Sequence, residues 1–390
     1  MLRSGRAGNL MNASLNTIRV AHLLFGDGVW GVENYVYNLL ASSKSSSVKP
    51  VIICTAEGAI SQKFVGANAE IDFVPVSGYF DIRSMVALST FFRKHKIDLV
   101  HVHLGLDSFV GTIAAKMVDL PVIMSVHFDK PNYMSYRSPA REMWNTCQIF
   151  KNKAIAHFLP ITKNVAAELI QREAVAEQKT TVVHPGIPVF DVDRSVRKET
   201  RREFAADDDE IVVIGVGRLE PEKNFDCLVK ACARLDPDEK VTAWIVGDGS
   251  QKEELERLVQ TLNLQNRVKL LGYRRDVRKL LASADVFVLP SKAEPFGMSA
   301  VEAMMSGLPV VGTMGPGLGT IVDDRVTGLL VPPDDDAALG EAIQQLSSDK
   351  QMRENFGNAG RERAMQNFSS DQMAEKIVSI YRSVLSPAPI

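Results

Sequence analysis

Cysteine is scarce here, and the four present (Cys54, Cys147, Cys227 and Cys232) form no CxxC pair and have no histidines at zinc-binding spacing. A disulfide framework and a zinc ribbon are thereby excluded, leaving reduced, structural thiols. Long apolar runs are missing too. Nothing approaches the roughly 20 residues of a membrane span, and residues 1–16 lack the apolar core of a signal peptide, so they read as a flexible extension in which Met11 is an alternative start. The chain also lacks a strong charge of either sign: the formal net charge is −2 at pH 7, which gives no electrostatic footprint for nucleic acid, although the front half is mildly basic and the back half acidic. No repeat of solenoid period and no low-complexity tract is present. A cytoplasmic, globular protein is what these absences leave.

What is present is alternation. At 390 residues the chain is too long for one ordinary core, and two domains are expected. Short apolar runs at 17–25, 50–54, 71–74, 98–103, 121–127, 154–161 and 180–183 read as strands, with helices between them such as 82–95 and 108–118. This is the pattern of a parallel sheet covered on both faces, whose ligands sit beyond the carboxyl ends of its strands. Gly31, His103, His127 and Thr162 fall at such ends. His101 and His103 share one strand face and suggest metal, but two histidines without a third ligand read better as core or rim residues. Gly26, Gly28 and Gly31 fit G-x-G-x-x-G between a strand and a helix, with Glu57 after the next strand, so a nicotinamide-dependent oxidoreductase is a competing reading at this point.

The alternation lapses between Pro185 and Asp209, the best linker candidate. Its Asp191-Val192-Asp193 has the D-x-D form that some sugar transferases use for metal. Lying in a hinge without an adjoining strand end, it reads as solvated surface, as do the acidic runs at Asp207 and Asp334. A second alternating set follows, with strands from 211, 241, 268, 286, 308 and 328, and a last amphipathic helix over 367–385 that is expected to cross back to the first domain.

The most informative stretch is 284–311, ADVFVLPSKAEPFGMSAVEAMMSGLPVV. Val286 to Leu289 reads as a buried strand stopped by Pro290. Glu294-Pro295-Phe296-Gly297 leads into a helix containing Met298, Ser299 and Glu302, and Gly307 and Pro309 stop it. Backbone N–H groups from Phe296 to Ser299 would point out of the helix N-terminus and suit a phosphate. Glu294 would then accept from sugar hydroxyls on one side and Glu302 from ribose hydroxyls on the other. Capping of the helix dipole is the alternative use of such a pair. Arg218 and Lys223, after the strand from 211, would hold a diphosphate together.

With GRLEPEKN (217–224), VGDG (246–249), LLGYRRDV (270–277), EPFGMSAVE (294–302), AMMSGLPVV and TGLLVPPDD, the chain resembles the GT-B retaining glycosyltransferases, in the large family that includes phosphatidylinositol mannosyltransferases and polysaccharide and lipopolysaccharide transferases. The resemblance covers nearly the whole sequence and displaces the dinucleotide reading, since one glycine loop cannot account for the second domain. It implies an α/β fold of two Rossmann-like, doubly wound domains facing across a cleft: an extension at 1–16, an acceptor-side domain at 17–188, a nucleotide-sugar domain at 189–368, and a C-terminal helix from about 369 to 390 packed back on the first.

The resemblance further implies that Arg218 and Lys223 grip the donor diphosphate. Glu294 and the amides after it, through Pro295, Phe296, Gly297, Met298 and Ser299, position the sugar, and Glu302 binds ribose. Gly217 and the backbone near Tyr273 and Arg274 complete the nucleotide site, with Gly31 at the diphosphate and His127 near the transferred sugar from the first domain. No carboxylate has an obvious claim to be a nucleophile, so retention implies front-face substitution with no metal and no cofactor beyond the nucleotide sugar, a UDP-sugar favoured over a GDP-sugar. The acceptor is a glycan, a lipid-linked or a small molecule. Residues 130–153, with Lys130, Arg137, Arg141, Lys151 and Lys153 among aromatics, suit weak peripheral docking on an anionic membrane. Two departures from the family pattern stand out, Trp30 before Gly31 and Thr320 in place of a glutamate. An NDP-sugar epimerase, a phosphorylase and a non-catalytic nucleotide-sugar binder are the rival readings; no lysine signature for a phosphorylase's pyridoxal cofactor is evident.

Overall fold

The computed structural model describes residues 17–25, 31–42, 47–67, 69–78, 80–103, 105–127, 151–173 and 175–386. The glycine loop 26–30 with Trp30, Cys147, and all of the basic and aromatic segment up to residue 150 lie outside them.

The chain forms two compact units, Met1–Val183 with Met373–Ile390, and His184–Gln372. The division falls earlier than the one expected between 188 and 189. Each unit holds a six-stranded sheet whose strand pairs are all parallel. The first contains β1 (Ile18–Leu24), β2 (Val48–Cys54), β3 (Glu70–Phe73), β4 (Leu99–Val102), β5 (Val122–Val126) and β6 (His157–Pro160), in the order β3-β2-β1-β4-β5-β6. The second contains β7 (Ile211–Val216), β8 (Val241–Val246), β9 (Val268–Gly272), β10 (Val286–Leu289), β11 (Val310–Thr313) and β12 (Gly328–Val331), in the order β12-β11-β10-β7-β8-β9. Read within its own unit, each order is the doubly wound one. It reverses direction between the first and fourth strands, where a crevice for ligands opens beyond the strand ends.

The central strands are mostly apolar because helices cover both of their faces. In β4, β5, β8, β10 and β11 every residue is buried. Residues 180–183 do not add a seventh strand to the first sheet: only Thr180 bridges, to Phe158, although the amides of Thr181 and Val183 donate to the carbonyls of Phe158 and Pro160. The last helix, Ser370–Leu385, places Met373, Ala374, Ile377 and Tyr381 in the core of the first unit with Val20, Tyr35 and Leu99. Its apolar spacing at i, i+1, i+4 and i+8 makes one buried stripe, which is why the chain returns to that sheet. The core of the second unit is built from β7, β8 and β10 with Phe225, Leu228, Leu255, Leu339 and Ile343 of the surrounding helices. Cys54, Cys227 and Cys232 are buried free thiols, and burial raises Cys232 to about 12.

Candidate active site

The switch point of the second sheet lies between β7 and β10, which pair directly. Beyond β7 the amide of Gly217 donates to the Val246 carbonyl at 3.0 Å, and a short 3-10 turn, Pro221–Lys223, follows. Asn224 ends that turn in the left-handed region, with φ 57°. Its buried side-chain amide donates to the Pro290 carbonyl at 3.1 Å and to Asp334 Oδ1 at 3.3 Å. The Lys292 amide donates to the Glu222 carbonyl at 2.9 Å. These bonds tie the turn after β7 to the loop after β10, and Lys223 and Glu294 meet as a consequence. Lys223 Nζ donates to Glu294 Oε2 at 2.6 Å, with the two side chains only 16% and 10% exposed, and Ser291 Oγ donates to the same oxygen at 3.2 Å. Such shielding makes this pair far less screened than a surface ion pair.

The loop then closes on the helix Met298–Met305. Gly297 precedes it at φ 105°, a conformation that strains any residue with a side chain, and no side chain caps the helix. The amides of Met298 and Ser299 lie in the first turn, where no intrahelical acceptor exists. Glu302 sits one turn further in, on the face of Met298. Phe296 is buried, stacked on His184 at 5.8 Å and edge-on to Phe368 at 5.6 Å. Gly317 backs the loop so closely that a Cβ there would lie 1.9 Å from the Glu294 carbonyl oxygen. The carbonyl of Ser291 accepts from Thr313 Oγ1.

The remaining predicted residues of this unit lie apart from that pair. The Arg218 side chain is about half exposed and bonds Glu222 at 2.6 Å. Tyr273 is 71% exposed, whereas Arg274 is fixed by two bonds to Asp276, at 2.8 and 2.7 Å, and one to Glu203 at 3.3 Å. Asp334, expected to be plain solvated surface, is exposed but also orients Asn224 and pairs with Lys292 at 2.8 Å. Asp193 caps a short turn by accepting from the Ser195 amide at 2.9 Å. Thr320 donates to the Pro316 carbonyl at 2.8 Å, and its own carbonyl accepts from Arg363. Asn224, Ser291 and Gly317 were missed by sequence reasoning. A buried Asn beside a Lys, and a glycine-proline-glycine run, are weak signals without knowledge of which loops meet.

In the first unit Gly31 begins the helix Gly31–Ser42 and is exposed. Thr162 caps the helix Lys163–Arg172, accepting from the Val165 amide at 3.2 Å, a structural role. His103 and His127 are buried and 3.4 Å apart, Nδ1 to Nε2, and His127 meets the Tyr35 ring edge-on at 4.7 Å. Burial pushes His127 down to about 3. His101 and His103 are core residues, and His22 of β1, unmarked in the sequence reading, lies in register beside His101. Lys151, expected on a membrane-facing surface, is buried instead, with Nζ 3.5 Å from Ser108 Oγ.

Two family models cover most of the chain: Glycosyl transferases group 1 over residues 196–363 and Glycosyltransferase Family 4 over residues 29–189. The chain belongs to the group 1 glycosyl transferases of the GT-B fold. Among similar glycosyltransferases, the UDP-Gal:alpha-D-GlcNAc-diphosphoundecaprenol alpha-1,3-galactosyltransferase of Escherichia coli is 24% identical over 384 residues, covering 95% of this chain and 98% of that protein. The sulfoquinovosyl transferase of Arabidopsis thaliana is 27% identical over 348 residues, covering 86% and 67%. The Anabaena HepE crystal structure, a complex with UDP and glucose, aligns with a TM-score of 0.81 at 22% identity over 94% of this chain and all of that one, a likeness of fold. Membership of this glycosyltransferase family stands against the epimerase and binding-protein readings. Among the described residues no helix is long and apolar enough to cross a membrane.

Proposed function

We propose that this glycosyltransferase moves a hexose from a UDP-sugar to a glycan or lipid-linked acceptor with retention of anomeric configuration and without a metal. The observation that carries the proposal is the shielded Lys223–Glu294 pair, 2.6 Å apart, set beside an uncapped helix N-terminus at the switch point of the second sheet. A cation, a hydroxyl-accepting carboxylate and unpaired amides together match a diphosphate joined to a sugar. Arg218, half exposed and bonded to Glu222, is the second diphosphate cation. Glu302 takes the ribose, and the backbone at Gly217, Tyr273 and Arg274 takes the base. From the first unit, Gly31 is assigned to the diphosphate and His127 to the transferred sugar.

The acceptor hydroxyl attacks the anomeric carbon from the face that the diphosphate leaves. The acceptor O–C1 bond forms as the C1–O bond to phosphate breaks, and the hydroxyl proton passes to the departing phosphate oxygen. Negative charge therefore grows on the diphosphate, and Lys223, Arg218 and the helix amides are the groups that would stabilise it. The UDP preference and lipid-linked acceptor class draw support from the E. coli relative's name, and the UDP preference also from the HepE complex.

The test is a panel of UDP-, GDP- and ADP-sugars assayed for hydrolysis and transfer, with the anomeric configuration of the product read by NMR. Turnover of a UDP-sugar with an α-product from an α-donor is expected. Turnover only of a GDP- or ADP-sugar, or an inverted product, would overturn the corresponding part of the proposal.

A further inference from the structure

The first unit buries a group of polar rings inside its sheet. His22, His101 and His103 bring nitrogens within 4.8 Å of one another, which invites a metal ion. Their geometry argues otherwise. His22 and His103 stack at 17° and His101 and His103 at 26°, whereas imidazoles sharing one ion turn their edges to a common centre. Both nitrogens of His101 are also engaged, Nδ1 with Tyr381 Oη at 2.6 Å and Nε2 with Ser125 Oγ at 2.8 Å.

The remaining contacts form a line. His22 Nδ1 lies 3.2 Å from His103 Nε2, and His103 Nδ1 lies 3.4 Å from His127 Nε2. All three rings are buried, which holds them neutral. A neutral imidazole has one N–H and one lone pair, so each contact needs one ring to donate and the other to accept. If His22 donates from Nδ1, His103 accepts at Nε2 and must donate from Nδ1, and His127 accepts at Nε2 and keeps its proton on Nδ1. If His127 donates from Nε2 instead, all three protons sit on Nε2. No mixed arrangement satisfies both contacts.

We propose that His22, His103 and His127 hold a single shared tautomer, so that His22 and His103 act as positioning residues that decide whether His127 presents an N–H or a lone pair at Nδ1. For its catalytic consequence this rests on the assignment of His127 to the transferred sugar: the chain then sets whether the site donates to a sugar hydroxyl or accepts from one, a choice that bears on epimer discrimination. The tautomer statement itself stands on the first unit alone.

The experiment is imidazole 15N NMR on the full chain labelled at histidine, at pH 7. The same tautomer at all three positions is expected in the wild type. In His22→Phe, which preserves ring volume two rings away from His127, His127 should shift to a mixture of tautomers. Different tautomers among the three wild-type rings, or an unchanged His127 in a folded His22→Phe protein, would overturn the proposal; if that variant does not fold, the wild-type spectrum decides alone. Donor turnover by His127→Ala is a separate readout. Wild-type turnover there withdraws the role of His127 at the sugar and leaves the tautomer result standing.

Discussion

The two sheets share one strand order yet treat polarity in opposite ways. Beyond the ends of β7 and β10 the second unit sets full charges, Lys223 against Glu294, at loops and a helix start where water still reaches. In β1, in β4 and just past its end the first unit buries His22, His101 and His103, neutral and bonded to one another or to Tyr381 and Ser125. Charge that must meet an incoming anion has to stay near solvent, because deep burial would neutralise it. Groups that only need to be oriented can be buried, where each unmade hydrogen bond is costly and mixed arrangements are excluded.

The contrast should be sharpest in acid. His22 and His127 are held near 3, below the ordinary histidine value of 6.5, so between those limits the unfolded chain binds protons that the native chain does not. Stability from these two residues is complete above pH 6.5 and falls as the pH drops towards 3, by about 1.4 kcal/mol per pH unit for each, or roughly 4 kcal/mol for both by pH 5. Amide exchange, corrected for its intrinsic pH dependence, should show protection of Leu99–Val102 falling much faster than that of Val241–Val246. Equal losses in both strands would break the comparison.

A smaller effect is expected from the charged site, and on turnover rather than folding. Arg218→Ala and Lys223→Ala each remove a preorganised charge donor, which costs about 3 kcal/mol of transition-state stabilisation, roughly a hundredfold in kcat. Lys223→Ala also leaves the little-exposed Glu294 without its cationic partner, so its melting temperature should drop more than that of Arg218→Ala. Near-normal turnover in both variants would remove these residues from the mechanism.

The two glutamates should then separate. Glu302→Ala is expected to weaken nucleoside diphosphate binding by about 2 kcal/mol whatever sugar is attached. Glu294→Ala should leave that binding nearly intact while lowering transfer and blurring the choice between epimeric donors. Calorimetric titration beside rates on two epimers reads both, and the reverse pattern would turn the donor around along the helix. The smallest expected effect is that of EDTA, which should change turnover little. A requirement restored by magnesium or manganese would bring Asp191 and Asp193 back into consideration as ligands.

Local patterning alone determined much of this protein. Alternating apolar runs and helices specify doubly wound sheets, because parallel strands covered on both faces are predominantly apolar. Gly297 and the helix after it were legible for the same local reason, and Glu294 and Glu302 could be singled out because loop and helix start are adjacent in sequence. Tertiary structure decided the rest. Asn224 and Pro290 are brought together by the pairing of β7 with β10, and Gly317 matters only because another backbone passes over it. His22 is one more polar residue in a strand until β1 and β4 lie side by side, in register, and place it beside His101 and against His103. Pairing between strands distant in sequence is set by the packing of the whole sheet, and no local window of residues contains it.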